Sequence, residues 1–140
     1  MPSKRETAVA ALATLLLGTG ADVWRNTDLD RAIPVAGLIE VTEGDATEEA
    51  MLSPLAYDVA QSVEILAAVT ADDEAARDTA LDTLLSTIHT LIAADRTLGG
   101  AVDDTVLASP SFAAFEADGA AKVARIAATL HFHVTTTPLG

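Results

Sequence analysis

Two histidines two residues apart, His131 and His133, are the side chains with the clearest capacity for chemistry in this sequence. On a strand, positions i and i+2 leave the same face, so both imidazoles would reach one metal ion. A zinc or iron centre needs a third ligand, and Glu64 or Asp58 on another strand is the candidate. The plainer reading makes the pair two polar residues on the solvent face of an amphipathic strand. It is the commoner situation, because no matching His/Cys/Glu cluster lies elsewhere in the chain. No metal and no cofactor are therefore expected.

Other candidates for chemistry reduce to structure. His89 sits one position off an apolar helical stripe, without a Gly-x-Ser-x-Gly or other nucleophile context. Gly18-Thr19-Gly20 has the outline of a dinucleotide loop, but it follows a helix and lacks the third glycine, so it reads as a helix stop. Asp72-Asp73 and Asp103-Asp104 suit a helix N-terminus and a strand-entry turn, and no EF-hand spacing is present. No catalytic residue is identified, and the chain is not expected to be an enzyme.

Composition points the same way. The 140 residues carry 21 acidic against 8 basic side chains, a net charge of -13, and no stretch gathers more than two basic residues. Such a field repels phosphate, which disfavours a nucleic-acid grip and an anionic membrane surface. Cysteine is absent, which excludes disulfides and thiolate chemistry. Half the residues are hydrophobic but only 4% are aromatic, so the core must be built from Leu, Val, Ile and Ala.

The elements that position these residues follow from periodicity. Ser3-Lys4-Arg5-Glu6 has the form of a capping box, and Val9, Leu12, Ala13 and Leu16 repeat at helical spacing behind it, with Gly18 as the stop. Lys4-Arg5 before the apolar run Ala8–Leu17 has the outline of a secretory leader. Glu6, Thr7 and Thr14 interrupt it, and the expected element is an amphipathic helix too short to span a bilayer. Short strands are expected at Asp22–Arg25 and Val35–Thr42, joined by a polar linker over 26–34. Tyr57, Val59, Val63, Ile65, Ala67 and Val69 share one parity, with Gln61 the exception, and mark a long half-buried strand over 55–70. A second helix starts at the carboxylates Asp72, Asp73 and Glu74, carries the stripe Leu81, Leu84, Leu85, Ile88, Leu91 and Ile92, and ends near Asp95. The last third is a hairpin: a rising strand over 102–115, irregular at Ser109-Pro110, a turn at Asp118-Gly119, and a return strand over 120–136.

The segment Glu43 to Ser53 shows no strand pattern. With Glu43, Asp45, Glu48 and Glu49 followed by Met51 and Leu52, it reads as a mobile loop that orders against a partner or, equally well, as an ordinary solvated loop with Met51 and Leu52 tucked under its own sheet. The order α-β-β-β-α-β-β predicts one α+β domain over 1–140: a mainly antiparallel sheet with two amphipathic helices packed on one face. Its core is expected around Leu81, Leu84, Ile88, Leu91, Ile126, Leu130 and Phe132, packed with Val63 and Ile65.

The sequence of elements, with the long strand Tyr57–Val69 and the segment Thr97-Leu98-Gly99-Gly100-Ala101-Val102-Asp103 between the second helix and the hairpin, resembles the tail terminator (tail completion, minor tail protein U-like) subunits of long-tailed bacteriophages and gene-transfer particles. The resemblance covers nearly the whole chain and brings no catalytic motif. It implies a structural virion protein: a homo-oligomeric ring, a hexamer, capping the head-proximal end of the tail tube. Such a ring stops tube growth and joins the tail to the neck or connector proteins. DNA would pass through its lumen without specific binding, and assembly would occur in the host cytoplasm without a membrane partner. The alternatives are another neck or head-completion subunit and, from a different class, a small acidic metal- or ligand-binding enzyme domain using the His131/His133 face.

Overall fold

A computed structural model describes residues 3–25, 37–52, 55–70, 73–115 and 121–134. The expected α+β arrangement is present. Helix α1 (Lys4–Leu16) leads through a 3-10 turn (Leu17–Thr19) into strands β1 (Asp22–Arg25), β2 (Leu38–Leu52) and β3 (Leu55–Thr70). Helix α2 (Glu74–Ala94) follows, then β4 (Asp104–Leu107), β5 (Ser111–Phe115) and β6 (Ala121–Val134).

The strands form one sheet in the order β1-β2-β3-β6-β4, with β5 also pairing to β6. Every pairing is antiparallel except β1 with β2. β4 and β5 lie end to end along β6 and are the two pieces of the single expected rising strand. The break falls at Ser109-Pro110, where proline has no amide proton to give the ladder. The polar linker 26–34, Asp72 and the Asp118-Gly119 turn lie outside the described residues.

Local chemistry sets the helix ends. Ser3 Oγ accepts from the Glu6 amide at 3.1 Å, the first half of the capping box. The second half is diverted, because both Glu6 carboxylate oxygens accept from Arg25. Gly18 is not the stop: the helix tightens into the 3-10 turn, and Gly20, at φ 85°, supplies the left-handed cap. Asp73 caps α2 by accepting from the Ala76 amide at 2.7 Å.

Both helices cover one face of the sheet, α1 against β1 and β2 and α2 against β3 and β6. Between them and the sheet lie Val9, Leu12 and Leu16, Leu81, Leu85 and Ile88, Ile39, Val41, Val63 and Ile65, and Ile126, Leu130 and Phe132. Leu91 is only partly buried, whereas Leu85 and Ile92 are fully in the core. A smaller apolar cluster of Leu38, Leu66, Ala68 and Val123, with Trp24 against it, occupies one end of the opposite face.

The largest departure from expectation is the segment 43–52. It is strand, continuous with β2 and paired with β3 out to Leu52↔Leu55; Ser53 and the side chains of Met51 and Leu52 lie outside the described residues. The period-2 pattern is hidden by a bulge. Glu43 pairs with Val63 and Ala46 with Gln61, so Gly44 and Asp45 oppose Ser62 alone. Before the bulge Ile39, Val41 and Glu43 face the helices; after it Ala46 and Glu48 take that side. The pairing with β3 overrides the poor strand propensity of Glu, Asp, Gly and Ala.

Candidate functional site

Among the described residues, three places gather polar side chains: the base of the β2–β3 arm, the outer face around the two histidines, and the turn after α2.

At the arm base, five side chains from four elements meet on the helix side of the sheet. Arg25, closing β1, donates to Glu6 of α1 at 2.7 and 3.0 Å and to Glu43 of β2 at 2.5 Å. Arg5 of α1 donates to the other Glu43 oxygen at 2.8 Å and to Gln61 Oε1 at 2.9 Å. Gln61 is fully buried in β3, and its amide nitrogen donates to the carbonyls of Gly44 and Ser62, each at 2.8 Å. The exception in the β3 parity is thus the residue that satisfies the backbone carbonyl the bulge exposes, as a buried polar group must. The Arg25 guanidinium holds the Glu6 carboxyl below the ordinary glutamate range, and Glu6 in turn raises Arg25. Of this knot only Glu43 is a site candidate from the sequence; Gln61, a polar side chain on an apolar parity, is the signal for the rest.

On the outer face, His131 and His133 project together from β6 as expected, beside an open groove of about 530 Å³. His133 stands opposite Asp58 on β3, and its Nδ1 is 2.9 Å from Asp103 Oδ2. Glu49 extends the row, since it pairs with Asp58. Glu64 does not join them. It pairs with Ala127, four residues along β3 from the Ala60 that faces His131, a separation of about 13 Å. Its carboxylate lies 3.6 Å from Arg125 instead. Among the described residues no three His, Cys, Asp or Glu side chains are grouped to hold a metal ion.

The turn after α2 is rigidly specified. Leu98, Gly99 and Gly100 are consecutive left-handed residues at φ 52, 70 and 93°. Leu98 accepts that conformation while its side chain is buried in the core. Asp95 Oδ1 receives the Gly99 amide, and the buried Thr105 hydroxyl donates to the Arg96 carbonyl at 2.9 Å. Arg96 grips Asp104 through two contacts of 2.8 Å, which lowers the Asp104 pKa. Leu98-Gly99-Gly100 is therefore a structural turn that launches β4. It carries no exposed reactive group.

Of the remaining nominated arm residues, Asp45, Glu48 and Glu49 are exposed on β2. Glu48 and Glu49 both line the groove, Glu49 from the outer face and Glu48 from the helix side of the strand, so the arm and the histidine face form one acidic surface. His89 is exposed on α2, away from it. No described helix is long and apolar enough to cross a membrane.

No protein-family profile matches the chain. No curated protein matches it in sequence. Among solved structures, the chain is similar to one from the virion of a native gene transfer agent (GTA) particle. The identity is 13% and the TM-score 0.41, over 94% of this chain and 92% of that one.

Proposed function

We propose that this chain is a structural virion subunit that closes into a ring, most simply a hexamer, at the head-proximal end of a phage-type tail tube. In this reading it performs no catalysis, ends tube growth, and joins the tail to neck or connector proteins. The observation that carries the proposal is the pair of unlike sheet edges. One edge is β1, paired parallel to β2; the other is β4 and β5, paired antiparallel to β6 and interrupted at Pro110. Unlike edges suit head-to-tail contacts, which close into rings when the rotation permits.

The element order agrees with what the sequence resemblance implies, including the turn at Thr97–Gly100 between α2 and the final strands. The net charge of -13 suits a wall past which DNA slides without sticking. The arm, Glu43, Asp45, Glu48, Glu49, Met51 and Leu52, is assigned to contact with a neighbouring virion protein. Native mass spectrometry tests the ring, with the chain alone and with tail tubes added. A six-subunit species is the expected result, and a monomer under both conditions ends the proposal.

A further inference from the structure

We propose that the outward edge of the β2 arm is a docking site for a cationic extended segment of a different protein, which adds to the sheet as a further strand. This deepens the assembly role assigned to the arm above and does not depend on the ring.

Two independent features specify the occupant. The first is the backbone. β1 pairs with β2 only from Leu38 to Val41, so from Ala46 onward no described strand lies along the outer edge of β2. Outward-facing amides and carbonyls on such an edge form a template for an added strand. The ladder is continuous from Ala46 to Leu52, long enough to hold several pairs of main-chain hydrogen bonds.

The second feature is charge. Glu48 and Glu49 stand on this stretch, and Asp58 and Asp103 continue the negative surface across the adjoining groove. A second copy of this chain is a poor complement: it carries the same net charge of -13, and among the described residues its cations already have partners. Lys4 donates to the His133 carbonyl, Arg5 and Arg25 hold Glu43 and Glu6, and Arg96 holds Asp104. Lys122 pairs with Asp78, Arg125 lies near Glu64, and Arg77 also has a partner. The positive charge is therefore assigned to another protein. An alternating Lys/apolar strand matches the edge best, with its lysines over the Glu49–Asp58 side of the sheet.

The test uses the full chain and a peptide of about eight residues alternating Lys and Val, the length of an ordinary strand. Binding is read by amide hydrogen exchange and by calorimetry. The expected result is slowed exchange over residues 46–51 on adding the peptide. N-methylating every second peptide amide, which blocks one ladder edge while leaving charge intact, should weaken binding about tenfold or more. The double substitution Glu48→Lys with Glu49→Lys, both at exposed positions, should weaken it by about the same factor. Equal affinity for the N-methylated peptide, equal affinity for a Glu/Val peptide, or no binding at all overturns the proposal. These peptide comparisons do not depend on any variant folding. A chain that stays monomeric alone and with tail tubes yet binds the peptide would end the ring reading and leave this one standing; a hexamer that ignores it would do the reverse.

Discussion

Between Leu38 and Val41, strand β2 lies between β1 and β3, and all four side chains are buried, Glu40 included. Between Ala46 and Ala50, β3 is its one described neighbour, and every side chain except that of Ala46 is exposed. The backbone is extended in both stretches and the partner strand is the same. Burial along a strand is therefore set by what flanks and covers it. The switch is concentrated at Gly44-Asp45, where the bulge turns the register and Gln61 binds the released carbonyl.

The largest effect belongs to the buried half. Ile39 has no exposed surface and belongs to the core cluster that includes residues of both helices, so Ile39→Ala should destabilise the chain by about 2–5 kcal/mol. Leu130→Ala on β6, equally buried, should fall in the same range of about 2–5 kcal/mol. Chemical denaturation measures both. Unchanged transition midpoints would show that the helix-covered face is not the core.

The junction comes next. Gln61→Leu keeps the volume but takes the side-chain partner from the Gly44 carbonyl and from Arg5 Nε, while Arg5 keeps its pair with Glu43. The expected loss is about 1–3 kcal/mol, the usual penalty for a stranded buried polar group. Hydrogen exchange should also accelerate along Ala46–Ala50 more than along Leu38–Val41. A uniform change over the whole strand would mean that the knot does not separate its two halves.

Much of this architecture was legible in the sequence, for a definite reason. Where a strand has one apolar face and a regular register, as in β3 and β6, parity alone recovers its extent. β3 was expected over 55–70 and is found there. The helix stripes were equally readable, because α1 and α2 each bury a single face. The distal half of β2 was not, because a bulge shifts its parity midway and its side chains face water on both sides. Hydrophobic periodicity reports burial, and an uncovered edge strand has little to report. The histidine face was read correctly as one face of β6, while the placement of Glu64 beside it was not. Its position depended on an inter-strand register that no local pattern contains. The Arg5–Glu6–Arg25–Glu43 contacts join residues up to 38 apart in sequence and were visible only as the anomaly at Gln61.

Acid should act through Glu6 and Asp104, whose pKa values Arg25 and Arg96 lower respectively. A carboxylate with a lowered folded-state pKa stabilises fully above its unfolded value, near pH 4, and loses that contribution as pH falls through the folded value. Stability should therefore decline below about pH 4, with the Glu6→Gln variant showing a shallower decline than the parent. Both carboxylates are well exposed, so the effect is small beside the core substitutions. Thermal melts across pH 2–6 would measure it, and identical slopes for parent and variant would remove Glu6 from the acid response.

The smallest expected effect is the sharpest test of the contrast. Thr47 pairs with Ala60 and points to the outer face of the arm, exposed to solvent. Thr47→Ala removes one methyl and one hydroxyl from a side chain that buries little, so stability should change by no more than about 0.5 kcal/mol, as at most surface positions. A β-branched residue is nonetheless the better strand former, and on a long, two-sided-polar edge that preference is one of the few local forces holding the backbone extended. Exchange of the amides at 46–50 should therefore quicken in Thr47→Ala while the global melting temperature stays fixed. If the melting temperature falls with it, the arm is part of the cooperative core. If neither moves, pairing with β3 alone holds the arm straight, and an incoming strand would find its template already rigid.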